Sequence, residues 1–228
     1  RPILWSRVLL PIRLFTKRGI DVFFSPAHYS PRYCPAPLVV TVHDVSYFYY
    51  PHEFLKKDLY KLTNWTKRSV EKSKKIIAVS KNTKKDILKF YGTEDAKIDV
   101  IYNGFEKSVD MDEKSTILNK LNLKPGKYLL YVGTLQPRKN IITLLEAFAK
   151  IKDIYDYQLV LVGKKGWMYE EIFLKTKTLN IDTRTIFTGY VESDDLEELY
   201  EKAHCYILPS LYEGFGIPIL EAMAHGCP

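Results

Sequence analysis

The sequence predicts an α/β protein of two doubly wound parallel-sheet domains, and three observations predict it. Short apolar runs rich in β-branched and aromatic residues alternate with helical patterns along the chain. The runs are apolar throughout instead of alternating with polar residues, as strands buried on both faces must be. The pattern lapses once, over 105–126 ("FEKSVDMDEKSTILNKLNLKPG"), and then restarts. The first domain is therefore placed at 1–104, the link at 105–126 and the second domain at 127–228.

The elements follow in order. "RPILWSRVLLPIRLF" carries spaced arginines unlike a signal peptide, and is expected to be a helix already inside a domain. "DVFFSP" and "PLVVTVHD" are strands, followed by a helix from about Glu53 to Lys72. "KKIIAVS", a helix from Lys81 to Phe90 and "KIDVIYNG" complete the first half. The second half begins with "KYLLYVG" and a helix from Asn140 to Ile151, whose apolar face is Ile141, Leu144, Leu145 and Phe148 at helical spacing. "YQLVLVG", a helix from Trp167 to Leu179, "TIFTGY", a helix from Asp194 to Ala203 and "CYILPS" follow. The chain starts at Arg1 and stops at Cys227-Pro228, where an α/β chain would begin its next strand. It is read as an internal fragment with both domains incomplete.

Composition bounds the function. With 46% apolar and 14% aromatic residues among 228, a sizeable core is available. No apolar run approaches the roughly 20 residues of a membrane span. Cys34, Cys205 and Cys227 are odd in number and unclustered, as cytosolic thiols are, and form neither a zinc site nor a disulfide framework. Residues 1–124 hold 23 Lys+Arg against 13 Asp+Glu, whereas 125–228 hold 11 against 14. The excess gathers between Lys56 and Lys89, either as a solvated face or as one apposed to anionic lipid at the inner face of the cell membrane. No nucleic-acid-binding module accompanies it, so nucleic acid is not expected as a partner.

Ligands of doubly wound sheets bind at the carboxyl ends of the strands, so the residues just after each run are the candidates. After Gly133, Arg138 and Lys139 precede a helix that Asn140 can cap, and two cations beside free N–H groups suit an anion such as a diphosphate. No Gly-Lys-Ser/Thr follows, so this is not a Walker loop. His43 and Asp44 directly follow one strand and His28 another, while Ser80, Asn103 and Gly104 suit caps and turns. In "PSLYEGFGIPILEAMAHGCP" the pair Gly214 and Gly216 resembles the start of a dinucleotide fingerprint, but Ile219 stands where its third glycine belongs. Pro218 suits a first helical turn, and Glu221 is expected in that turn. Glycines let a backbone approach sugar hydroxyls, and a carboxylate can accept from a ribose diol.

Glu213 and Glu221 around "GFGIPIL", with "VGTLQPRKN" and "HD", resemble glycosyltransferase family 4, the retaining nucleotide-sugar transferases of GT-B fold. The resemblance spans nearly the whole chain. It implies two Rossmann-like domains, both incomplete here, the first on the acceptor side and the second for the donor. It implies that Arg138 and Lys139 hold the donor diphosphate, with Gly133 at the same strand end. His43 and Glu213 would serve catalysis beside the transferred sugar, with the backbone of Gly214, Phe215 and Gly216 alongside and Glu221 on the ribose. The wording of "VGTLQPRKN" and "VTVHDVSYFYYPHEF" resembles bacterial mannosyltransferases of polysaccharide or O-antigen assembly, which makes GDP-mannose the first donor expected, ahead of a UDP-hexose, with a glycan or lipid-linked acceptor. Thr134 stands where some relatives have an arginine, and the family's N-terminal Gly-rich loop is absent. A nucleotide-sugar epimerase, an α-glucan phosphorylase or a non-catalytic sugar-nucleotide sensor are the alternatives. No separate cofactor is expected. Asp110-Met111-Asp112 matches the metal-binding Asp-x-Asp pattern but lies in the polar link, so the reaction is expected to run without a metal.

Overall fold

The computed structural model describes residues 5–17, 19–105 and 116–228. Residues through Asn103, joined by Glu213–Phe215, form one compact unit, and Gly104–Tyr212 with Gly216–Pro228 form the other.

The first unit opens with a π-helical turn, Trp5–Leu9, that runs into α1 (Leu10–Thr16). Strands β1 (Phe23–Ser25), β2 (Leu38–Val42), β3 (Lys75–Ala78) and β4 (Ile98–Val100) then form a parallel sheet in simple sequential order. Helix α2 (Lys56–Lys72) links β2 to β3, and α3 (Lys81–Tyr91) links β3 to β4. The first of these begins later than the sequence suggests, because Pro51–Glu53 forms a separate 3-10 turn. Ser80 caps α3 by accepting from the Thr83 N–H at 3.0 Å, and Gly92 ends it with φ 61°. Such a cap contributes about 1 kcal/mol. The core gathers Val40, Val42, Val70, Ile76, Ala78, Ile87 and Ile98, with Tyr47 buried among them.

In the second unit β5 (Tyr128–Val132), β6 (Gln158–Val162), β7 (Thr185–Gly189) and β8 (Cys205–Tyr206) lie in the order β7-β6-β5-β8, all parallel. The order therefore reverses between β5 and β8. Helices α5 (Ile141–Ile151), α6 (Glu170–Thr178), α7 (Ser193–Lys202) and α8 (Ile217–Ala224) flank the sheet. Two cores explain the unbroken apolar strands. Tyr128, Leu130, Val160 and Val162 pack with Leu199, Tyr200 and Ala222 on one face, while Leu129, Tyr131, Leu159 and Leu161 pack with Leu144, Leu145, Phe148 and Ile172 on the other. Each fully buried aliphatic or Phe side chain contributes about 1.5–3 kcal/mol. The short α4 (Ile117–Lys120), within the stretch read as link, buries Ile117 and Leu118 in the first of these cores. Strand β8 is brief because Pro209 cannot continue a ladder, although Ile207 still donates to the Leu130 carbonyl.

Candidate functional site

In the second unit the candidate site lies where the strand order reverses, the place at which open parallel sheets bind ligands. The loop after β5 (residues 133–140) and the loop after β8 (residues 207–216) both leave from this point, and three hydrogen bonds tie them together. The Arg138 guanidinium Nη1 donates to the Tyr212 carbonyl at 2.6 Å, Leu211 N–H donates to the Arg138 carbonyl at 3.1 Å, and Asn140 Nδ2 donates to the Pro209 carbonyl at 3.0 Å. A charged donor on a carbonyl is worth more than a neutral one, so Arg138 acts partly as a fastener between loops.

Arg138 and Lys139 form a 3-10 turn, Pro137–Lys139, directly before α5, both half-buried. The expected Asn140 cap is not made as drawn from sequence. Asn140 stands at the N-cap position but in the left-handed region (φ 55°), so its side-chain oxygen accepts from the Thr143 hydroxyl at 2.8 Å instead of from a backbone N–H. The loop is pinned from beneath by Leu135 N–H on the Lys164 carbonyl and Gly166 N–H on the Leu135 carbonyl. Gly133 closes β5 against the Tyr131 hydroxyl, where an added Cβ would stand 2.7 Å away.

Gly216 turns the second loop into α8 with φ 92°, a left-handed conformation that favours glycine. Pro218 occupies the first turn as the sequence suggests. Glu221 does not: because the helix starts at Ile217, Glu221 falls in its second turn, beyond the strongest part of the terminal dipole. What holds its carboxylate is Tyr200 of α7, whose hydroxyl donates to Oε2 at 2.8 Å. Sequence reasoning missed Tyr200, since nothing in "DDLEELYEK" separates a core tyrosine from one that reaches a site.

The first unit brings the strand-end histidines together. His43, exposed just past β2, contacts the Pro26 carbonyl through Nε2 at 2.8 Å. A carbonyl only accepts, so Nε2 carries a proton and donates. Asp44 has a structural task, accepting from both the N–H and the hydroxyl of Ser46 at 2.9 and 2.6 Å. The His28 ring lies 5.6 Å from that of His43, edge to face. Burial depresses the His28 imidazole below its ordinary value, with the Asp44 carboxylate opposing and His43 adding to the shift. Residues 213–215 belong to this unit. Thr83 Oγ1 donates to the Gly214 carbonyl at 3.3 Å, and the Phe215 ring stands 6.0 Å from Tyr102. A Cβ on Gly214 would fall 1.7 Å from the His43 carbonyl oxygen, so the close approach requires glycine. The "HD" and "EGFG" stretches thus meet, which the sequence alone could not establish.

A cavity of about 650 Å³ opens beside the loop after β1. Tyr29, Trp65 and Tyr60 supply aromatic faces to it, with Asn64, Arg32 and Arg68 as polar partners. Tyr60, Asn64 and Arg68 recur every four residues along α2 and so share one face. Part of the basic stretch is locally neutralised: Lys61 pairs with Asp58 at 2.7 Å and Lys84 with Asp95 at 2.9 Å. No described helix is long and apolar enough to cross a membrane. Among the described residues no cluster of three or more His, Cys, Asp or Glu could hold a metal ion, and Asp110-Met111-Asp112 lies outside them.

Comparison with known proteins decides the family. Residues 113–228 match the family described as Glycosyl transferases group 1, and residues 1–109 match Glycosyltransferase Family 4. The chain belongs to the group 1 glycosyl transferases. Within this family it is 31% identical to the O-antigen chain mannosyltransferase RfbU of Salmonella typhimurium, over all of this chain and 61% of that protein. It is 32% identical to the O-antigen chain mannosyltransferase B of Escherichia coli, over 83% of this chain and 51% of that one. The chain thus spans between half and two thirds of the length of these curated relatives. Among solved structures, Anabaena HepE in complex with UDP and glucose matches all of this chain and 63% of its own, with TM-score 0.75 and 20% identity. WaaG, a glycosyltransferase involved in lipopolysaccharide biosynthesis, matches 96% of this chain and 61% of its own, with TM-score 0.70 and 20% identity. The fold, with its two parallel sheets, is that of the GT-B glycosyltransferases.

Proposed function

We propose that the intact protein is a retaining glycosyltransferase that moves a hexose from a nucleoside diphosphate sugar to an acceptor hydroxyl in glycan assembly. The observation that carries this reading is the tied pair of loops at the strand-order reversal of the second unit, with Arg138 and Lys139 on one and Gly216 leading to Glu221 on the other. Two cations beside the N–H groups of a helix's first turn suit a diphosphate, and the Glu221 carboxylate suits a ribose diol. In the reaction the bond from the anomeric carbon to the diphosphate breaks, a bond to the acceptor oxygen forms on the same face, and the acceptor's proton leaves with the diphosphate. Arg138 and Lys139 offset the charge that develops on the leaving group. His43 and Glu213, with the Gly214 to Gly216 backbone, serve the transferred sugar. No metal or separate cofactor is assigned.

Mannose is the first sugar to test, because the relatives RfbU and mannosyltransferase B bear that name. The donor would then be GDP-mannose, with a UDP-hexose as the alternative that the UDP complex of HepE suggests. The acceptor side falls to the first unit. Its aromatic cavity with Arg32, Arg68 and Asn64 suits a sugar ring bearing a phosphate, as in a lipid-linked glycan. Thermal unfolding of the intact protein against GDP-mannose, UDP-glucose, UDP-galactose and the free diphosphates tests the reading. A ligand at 100 times its dissociation constant stabilises by about 2.7 kcal/mol. Stabilisation by one nucleotide-sugar and its diphosphate is the expected result, and an unmoved transition across the panel would overturn the proposal.

A further inference from the structure

Glu221 lacks the support first expected for it, because it lies past the first turn of α8. Its support comes from a buried pair of rings. Tyr200 is 1% exposed, and its hydroxyl donates to Glu221 Oε2 at 2.8 Å. His225 stacks on the Tyr200 ring at 5.6 Å and 14°, and its Nδ1 lies 2.7 Å from the main-chain carbonyl of Glu221. Since that carbonyl only accepts, the imidazole donates. The side chain and the backbone of Glu221 are therefore each held from the core side.

The chemistry of the contact is specific. A buried hydroxyl needs a partner, and a charged one makes the stronger bond. Burial first, and then the Glu221 charge, push the Tyr200 phenol far above its ordinary value, so it remains a donor. A carboxylate offers about four acceptor positions. Tyr200 takes one, and Oε1 has no hydrogen-bond partner among the described residues. We propose that Tyr200 is the positioning residue for Glu221, fixing the carboxylate so that its other oxygen meets both hydroxyls of a donor ribose. This rests on the nucleotide-sugar reading above.

The test is calorimetric, on the intact protein, with UDP, GDP and their 2′,3′-dideoxy forms. Wild type should prefer the ribonucleotide by about ten- to hundredfold, the worth of hydrogen bonds to a charged group. Tyr200→Phe keeps the ring and loses only the hydroxyl. It should shrink that preference by about fivefold or more, while Lys139→Ala weakens ribo and dideoxy forms equally and leaves the preference intact. Tyr200→Met, which also lacks the hydroxyl, repeats the measurement if the Phe variant does not fold. A wild-type preference that persists unchanged without the hydroxyl overturns the role of Tyr200 alone. Equal loss of affinity for both sugar forms does the same, since a structural contact would act that way. No wild-type preference for either base removes Glu221 from the ribose, and Tyr200's role falls with it.

Discussion

The two units solve the same topological problem differently. The described strands of the first run β1-β2-β3-β4 in chain order, while those of the second run β7-β6-β5-β8 and reverse beside β5. In the second unit the reversal parts two loops that side-chain and backbone bonds then rejoin, setting Arg138 and Lys139 at the start of α5. In the first unit there is no reversal among the described strands. Its candidate groups instead gather through packing: His43 on the Pro26 carbonyl, His28 against His43, and Gly214 against the His43 backbone. The difference teaches that one half gathers its basic residues, Arg138 and Lys139, on loops that topology brings together, whereas the other gathers imidazole and aromatic rings by packing.

The sharpest way to break that division is to remove a cation. In the intact protein, Lys139→Ala should lower the turnover rate by about 10² to 10³, the usual cost of one lost donor on developing charge. EDTA should leave wild-type turnover unchanged. Rate loss with chelator and recovery with Mg²⁺, beside an indifferent Lys139→Ala, would hand the leaving group to a metal.

Next in size is the backbone contact of the first unit. Gly214→Ala must push residues 213–215 off the His43 carbonyl and should destabilise by about 1–3 kcal/mol, as overpacking does. Activity should fall with it. Gly104→Ala, where an added Cβ meets nothing within 4 Å, should leave the melting temperature unchanged. Equal behaviour of the two variants would show that the approach of Gly214 is not a constraint. A smaller effect is expected in the cavity: Trp65→Ala should raise the acceptor KM by about two- to tenfold, from lost ring contact of about 0.5–1.5 kcal/mol, and leave donor affinity alone.

The smallest is a pH effect. His28 titrates below its ordinary 6.5 when folded, chiefly through burial, so the fold favours its neutral form. Its contribution is then complete above about pH 6.5 and is lost as the solution falls toward the lower folded value, with a slope of at most about 1.4 kcal/mol per unit. Urea unfolding of wild type and His28→Phe between pH 7.5 and 5 measures it. Parallel profiles would show that His28 is not buried in its neutral form.

Much of this was legible in the sequence, for physical reasons that can be named. Strands buried on both faces cannot hide their apolar runs, so β5 and β6 stand out in "KYLLYVG" and "YQLVLVG" within a residue or two of their limits. Arg138, Lys139 and the two glycines could be placed because loops at strand ends follow from topology. The start of α8 was misplaced relative to Glu221, since a left-handed Gly216 begins the helix earlier than a proline-based reading suggests. Tyr200 and the meeting of Gly214 with His43 were invisible. Each joins residues more than twenty positions apart, and no local pattern records such a contact.

The central claim is sugar transfer with retention, and the anomeric configuration of the product tests it most directly. The intact protein is incubated with GDP-mannose, or with the nucleotide-sugar that stabilises it best, and a lipid-linked glycan acceptor, and the anomeric configuration of the new linkage is read by proton NMR. The account predicts an α-linkage from an α-configured donor. A β-linkage, or release of free sugar without transfer, would contradict it.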